Sequence, residues 1–373
     1  MKNCLLIFVS IIVAAALSEL FLRLSGVGSF SIKERVLFMT LPSFVENNRV
    51  GVRYSPNSRV RSVAIYGDHI DYDVTFETNN MGFVDLVPYE NKPSKHQVAF
   101  VGDSFTASSG SSVPWVVQLR ETSLFTNAQL FNFGVGGTGV LAFVQRLNAL
   151  LKEFDFQEVI FVVISDDFYR VLWAPVATDD GVWFCPKIEN YVCPNSPVPT
   201  ISSMEYADSK SSLLARASRI YEQASPKIEE SMFLRGMKEA RIYTLACDVL
   251  FLKFGFSGAE MFCPHLRNYR LTERTKNIDI FANSVNAMAE IVSEHPEIKF
   301  RVFHVPEKSE VVSRKYSVDL TDEMRSVGVE YHQTLFECNW DRSLYFKNDA
   351  HLNPKGYSFL ANCFRNIFNR GTK

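Results

Sequence analysis

The sequence predicts a doubly wound α/β sandwich: a parallel five-stranded sheet carrying an inserted helical subdomain and preceded by a β-rich N-terminal extension. Three observations carry this. Five short runs, QVAFVGDS, LFNFGVGG, EVIFVVIS, KFRVFHVP and VEYHQTLF, read as strands, and EVIFVVIS is apolar on both faces in the near-continuous way of covered parallel strands. Segments with apolar residues at helical spacing separate them. The alternation breaks at about 171–274, where Pro-rich loops, a cysteine pair and a long helical stretch intervene, and then it resumes.

The elements follow in chain order. MKNCLLIFVSIIVAAALSELFLRL opens with Lys2 before an unbroken apolar run from Cys4 to Leu17. That run is shorter than the roughly 20 residues of a full span and suits a signal-peptide core, with Ala14 and Ala16 as a small-x-small cleavage site. If Glu19 sits near an interface, the run extends to Leu24 and becomes an uncleaved anchor. Residues 1–25 therefore read as a signal peptide or membrane anchor. The remainder is expected outside the cytoplasm, periplasmic or secreted, with residues 4–24 as its tether to the inner membrane when uncleaved. Arg23, Lys33 and Arg35 follow the run, so flanking charge does not settle orientation.

Residues 26–95 form the extension. In HIDYDVTFET, Ile70, Tyr72, Val74 and Phe76 alternate with polar residues, as in a half-buried strand. Residues 96–373 form the sandwich. Its helices are expected around Trp115 to Leu119 and over VLAFVQRLNALLKEF. In the insertion, a helical stretch runs from Ser211 to Phe254, broken near Pro226. A later helix carries Ile278, Phe281, Val285, Met288 and Val292 on its apolar face. The last begins after DAHLNP with Pro354 in its first turn, and Tyr357, Leu360, Ala361 and Phe364 share one face.

Composition narrows the function. Apolar content of 47% with 21% charged residues fits a folded chain, and a net charge of -2 leaves no basic footprint for nucleic acid. In FCPKIENYVCP, Cys185 and Cys193 bracket a turn-rich loop, and a disulfide closing it suits an oxidising compartment. Cys247 and Cys363 read as core residues.

Three pieces fall at the carboxyl ends of expected strands, where open α/β sheets bind ligands. Gly102 lets the chain turn so that Ser104 stands exposed beyond the first strand. The stretch NFGVGGTG, 132–139, offers backbone N–H groups without side-chain obstruction. In NDAHLNPKGY, Asp349 and His351 stand two residues apart in one loop. A neutral serine needs a base, and the histidine needs an orienting carboxylate, so the three residue types together point to nucleophilic catalysis. A metal site from Asp103, Asp166, Asp349 and His351 is a weaker reading with one histidine. The GxSxG elbow fits badly, since Phe105 and Thr106 follow Ser104.

On FVGDS (100–104), NFGVGG (132–137) and DAHLNPKG (349–356), the chain resembles the SGNH hydrolases, or GDSL esterases. The resemblance implies Ser104 as nucleophile, His351 as general base and Asp349 as its partner. It also implies an oxyanion hole built partly from the N–H groups of Ser104 and Gly137, an acyl-serine intermediate, and no metal or organic cofactor. With export, it suggests hydrolysis of small acyl esters, such as O-acetyl groups on a cell-envelope or secreted glycan. The alternatives are a glycan O-acyltransferase using the same triad, or a catalytically decayed glycan-binding or assembly protein. Two departures stand out. The family usually spaces its carboxylate three before the histidine; the two-residue spacing here is similar to that of acetyltransferase-like relatives acting on exopolysaccharides. Where the family offers an asparagine to the oxyanion, this chain reads Asp166-Asp167. In an active hydrolase Asp166 must then either be replaced in that role by another donor or carry a proton; the neutral reading is that Asp167, Phe168 and Arg170 form a salt-bridged helix start.

Overall fold

The computed structural model describes residues 17–18, 35–47, 49–92, 95–122, 125, 127–187, 199–224 and 274–371. The apolar N-terminal run lies outside these apart from Leu17 and Ser18, as do Cys193, Cys247 and the helical stretch beyond Ala224. No helix among the described residues is long and apolar enough to cross a membrane. The chain divides into two compact units, 1–35 with 221–276, and 36–220 with 277–373. The second holds what is discussed below, apart from Arg35 and the ends of two helices at 221–224 and 274–276.

Its centre is the expected parallel sheet: β6 (His96–Gly102), β7 (Ala128–Gly134), β8 (Glu158–Val163), β12 (Lys299–His304) and β13 (Glu330–Gln333). They lie in the order β13-β12-β8-β6-β7, every pair parallel. Alternate residues of β6 enter opposite cores, Ala99 and Val101 on one side and Val98 and Phe100 on the other. That is why the run reads as continuously apolar. Helices α1 (Trp115–Arg120) and α8 (Pro354–Gly371) cover one face through Trp115, Leu119, Tyr357 and Phe364. Helices α2 (Val140–Leu150) and α4 (Arg274–Glu294) cover the other through Phe143, Leu147, Met288 and Ile291. Each fully buried Phe contributes about 1.5–3 kcal/mol of apolar transfer.

The second sheet was not legible in the sequence. Strands β1 (Arg35–Thr40), β4 (Arg59–Tyr66) and β5 (His69–Glu77) come from the extension. Strands β9 (Trp173–Thr178), β10 (Gly181–Pro186) and β11 (Ile201–Met204) come from the insertion. They form one sheet in the order β5-β4-β1-β11-β10-β9, joined where β1 runs parallel to β11 with Phe38 opposite Ser202. The insertion thus begins as strands, and only then runs into the helix Lys210–Ala224. A ribbon of β2 (Phe44–Asn47) and β3 (Gly51–Tyr54) completes the extension.

Cys363, expected as a core thiol, is indeed 3% exposed, but it is bonded to Cys338 in a disulfide. Cys185 is also disulfide-bonded.

Candidate active site

The first strand ends where the chain is most crowded. A Cβ on Gly102 would lie 2.0 Å from Thr106 Oγ1 and 2.5 Å from the Val162 carbonyl oxygen. Glycine is required there by close approach, not by a left-handed backbone. The turn that follows is held by Ala107 N–H on the Asp103 carbonyl, Ser109 N–H on that of Ser104, and Phe105 N–H on Asp103 Oδ1 at 2.8 Å. Trp115 clamps it from α1, donating its backbone N–H to Ser108 Oγ and its indole N–H to the Phe105 carbonyl. Ser104 is only 7% exposed. The expectation of an exposed serine is corrected: the turn and the loop above it nearly enclose the hydroxyl.

The loop before α8 supplies the partners. His351 Nε2 lies 2.8 Å from Ser104 Oγ, and His351 Nδ1 bonds Asp349 Oδ1. Asp349 Oδ1 also accepts the His351 backbone N–H at 2.9 Å, so the two-residue spacing closes a small ring that points the imidazole at the serine. With a proton on Nδ1 for the carboxylate, Nε2 is left to accept from Ser104. Tyr66 O–H donates to Asp349 Oδ2 at 2.8 Å. Asp71, from β5, accepts the backbone N–H groups of Asn348 and Asp349 at 2.7 and 2.6 Å, and the Asn348 side-chain amide at 2.8 Å. Sequence reading missed both Tyr66 and Asp71. Tyr66 sits in an ordinary apolar strand, and Asp71 occupies the polar phase of an alternating one, so neither left a local signal.

The turn after β7 stands beside the nucleophile. A Cβ on Gly136 would be 3.7 Å from Ser104 Cβ, and Gly137 adopts φ +74°. The Gly136 N–H donates to Tyr54 Oη, whose own titration burial pushes up to about 12. The Gly137 carbonyl accepts from Trp173 Nε1 at 2.9 Å, and a Cβ on Gly137 would meet the Phe184 ring at 2.7 Å. Among the described residues, neither Ser104 N–H nor Gly137 N–H has an acceptor. Unsatisfied N–H groups next to a nucleophile are what an oxyanion requires.

The segment after β8 corrects the reading of Asp166. Its side chain is 59% exposed and accepts from Arg170 Nε at 3.1 Å, so it is not the buried acid expected. The buried carboxyl is Asp167, raised well above its ordinary range by desolvation and then by Asp103, and anchored by the Ile164 N–H and Arg170. Arg170 Nη1 bonds Asp103 Oδ2 at 2.9 Å, Asp167 Oδ1 at 2.8 Å and the Thr138 carbonyl at 3.1 Å. Burial opposes that charge, but the three carboxylates, Asp167 foremost, raise its pKa. Asp103 Oδ2 lies 3.2 Å from Ser104 Oγ, so the arginine holds a carboxylate directly behind the nucleophile. On the loop after β12, burial and then Glu310 push Glu307 up to about 8. No group of three or more potential ligands is arranged for a metal among the described residues.

No family model matches the chain, and no curated protein does. Solved structures do. A lipase/acylhydrolase from Enterococcus faecalis is 10% identical, covering 74% of this chain and 96% of its own, with a TM-score of 0.34. A member of the lipolytic protein G-D-S-L family from Veillonella parvula is 11% identical, covering 74% and 99%, at 0.33. A catalytic mutant of an acetylxylan esterase from Geobacillus stearothermophilus is 12% identical, covering 73% and 94%, at 0.32.

Proposed function

We propose that the chain is a serine hydrolase of small acyl esters. The observation that carries this is the line of contacts from Ser104 Oγ through His351 to Asp349, at 2.8 Å on the serine side. Ser104 Oγ attacks the ester carbonyl while His351 Nε2 takes its proton, and the imidazolium is held by Asp349. The N–H groups of Ser104 and Gly137 receive the oxyanion. Collapse expels the alcohol, which takes the proton from His351, and leaves an acyl-serine. Water, deprotonated by the same nitrogen, then releases the acid.

An acetylated glycan outside the cytoplasm is the substrate we favour. The apolar N-terminal run supports export, and the disulfides at Cys338–Cys363 and at Cys185 support an oxidising compartment. A specific observation keeps the decayed-fold reading open as the alternative. Where an asparagine donor would stand, the chain carries Asp166 and Asp167, both bound by Arg170, so the oxyanion would rely on the N–H groups of Ser104 and Gly137. Losing one such donor typically costs about 10²–10³ in rate. Fluorophosphonate labelling of the purified protein tests between them. We expect covalent labelling of Ser104, absent in Ser104→Ala. A correctly folded protein that neither labels nor hydrolyses p-nitrophenyl acetate would refute the hydrolase.

A further inference from the structure

We infer that Tyr66, backed by Asp71, is the positioning residue of the Asp349–His351 pair, so that the N-terminal β-hairpin is a working part of the active site. The inference rests on the hydrolase reading above for its kinetic consequence, though not for its geometry. Strands β4 and β5 meet in a tight turn at Gly67 and Asp68, with Tyr66 opposite His69. This tip lies on the loop of residues 348–351. Tyr66 is 2% exposed, and the Asp71 side chain 1%.

The division of labour is chemical. Asp349 has two oxygens. Oδ1 is engaged by His351 twice, through the ring and through the backbone N–H. Oδ2 accepts the Tyr66 O–H at 2.8 Å, which ties the other side of the carboxyl to the hairpin. A carboxylate cannot rotate about its Cβ–Cγ bond without breaking one of these contacts. Asp71 works one step further back. By accepting the N–H groups of both Asn348 and Asp349, it sets the backbone from which the Asp349 side chain departs. Lys308 closes the loop from the other side, donating Nζ to the carbonyls of Phe346 and Lys347 at 2.6 and 2.7 Å. The ring closed by the short Asp-x-His spacing fixes His351 relative to Asp349, and residues some 280 positions earlier fix that ring relative to the hairpin.

Tyr66→Phe is the test, because it keeps the ring in its packing and removes one hydroxyl. With p-nitrophenyl acetate, kcat should fall about tenfold, the scale of one hydrogen bond to a charged group, while KM stays within about twofold. The second readout needs no activity. The proton shared by His351 Nδ1 and Asp349 should be visible as a downfield resonance in the proton NMR spectrum, assigned by its loss in His351→Ala. In Tyr66→Phe it should shift or broaden. An unchanged resonance together with unchanged kcat in a protein whose wild type is active would overturn the inference and leave the hydrolase standing. A moved resonance in a protein whose wild type neither labels nor turns over would sink the hydrolase and uphold Tyr66. An unchanged resonance with a change in KM alone would also overturn it, assigning Tyr66 to substrate contact.

Discussion

Among the described residues, two serine–histidine pairs stand at the same sheet edge, and they are wired differently. Ser104 lies 2.8 Å from His351 Nε2, and Ser165 lies 3.0 Å from His304 Nε2. Both serines follow a parallel strand, and both have a carboxylate in reach. The difference lies in which partner the acid holds. In the first pair, Asp349 takes the far nitrogen of the imidazole, leaving Nε2 as the nearer acceptor of the serine proton, at 2.8 Å against 3.2 Å for Asp103 Oδ2. In the second, Glu310 takes the serine itself at 2.5 Å, and Tyr331 O–H occupies His304 Nδ1 at 2.8 Å. Ser165 therefore gives its proton to Glu310, and His304 must donate from Nε2. The pair is wired backwards for catalysis. Burial adds to this: desolvation lowers the His304 pKa to about 3, far too low for a base near neutral pH. Ser165 and His304 are 1% and 0% exposed, so the second pair works as a rivet between β12 and the segment carrying Arg170.

The largest effect should come from exchanging the serines for alanine. Ser104→Ala and His351→Ala should each lower ester hydrolysis by at least about 10³-fold with little change in Tm, whereas Ser165→Ala should leave kcat within a few-fold. Asp349→Asn should cost about 10⁴ in kcat by offering the wrong tautomer, yet leave slow labelling of Ser104. Equal losses of activity in Ser104→Ala and Ser165→Ala, with both folded, would erase the distinction.

Next comes Arg170, which links the two regions. Arg170→Met removes the cation facing Asp103 and Asp167, both 0% exposed, and breaking such a buried pair costs about 3–5 kcal/mol. Thermal or urea unfolding should register that loss, and activity should fall too, because Asp103 lies against Ser104. Unchanged stability would mean that the acids are held by their backbone donors alone.

The rivet itself gives a smaller, pH-dependent signal. The folded His304 resists protonation down to about 3, whereas the unfolded chain takes up that proton near 6.5. Below 6.5 the unfolded state binds more protons, so this contribution to stability is present above that value and is lost as pH falls toward 3. His304→Gln should flatten the acid side of the Tm–pH curve over that window, at some cost to stability at neutral pH. Ser165→Ala, which leaves His304 Nε2 without its acceptor, should cost about 1–3 kcal/mol. A His304→Gln curve parallel to wild type would place the titrating group elsewhere.

The contrast between the pairs also shows what a sequence can and cannot carry. Strands β6, β7, β8 and β12 were legible because each sends apolar residues to both faces, whereas β13, Glu-Tyr-His-Gln, does not, and Pro354 marked the last helix by its fixed φ. Ser104, Asp349 and His351 were picked out as residues beyond strand ends, and the structure brings these three into hydrogen-bonding reach of one another. Gly102 and the FVGDS stretch marked Ser104 locally, but the wiring of either serine was not local, since the deciding acid is Asp349 in one case and Glu310 in the other, both more than a hundred residues away. The second sheet was hidden for the same reason: Phe38 pairs with Ser202 across the whole of β6 to β8. Asp166 and Asp167, adjacent in sequence, invert only the reading of Asp166 as a buried donor: a 3₁₀ turn from Ser165 to Tyr169 puts Asp166 in solvent and Asp167 in the core, where its ion pair with Arg170 makes the expected salt-bridged helix start.

That last inversion sets the smallest expected effect. A protonated Asp166 donating to the oxyanion would make Asp166→Asn neutral or beneficial, and would make the wild-type rate fall at high pH where the variant did not. The geometry removes the premise. Asp166 has one contact, to Arg170 Nε, and asparagine can keep it through its carbonyl oxygen. Only an exposed charge is lost, and exposed pairs contribute about 0–1 kcal/mol. Arg170 keeps Asp103 and Asp167, so the carboxylate behind Ser104 does not move. We therefore expect kcat/KM within about twofold of wild type at every pH, with superimposable pH–rate profiles. A variant that diverges only on the alkaline limb would show Asp166 acting as an acid in the working enzyme. The segment after β8 would then have to turn inward when substrate binds, and the Ser165–His304 rivet, which holds it outward, would have to release.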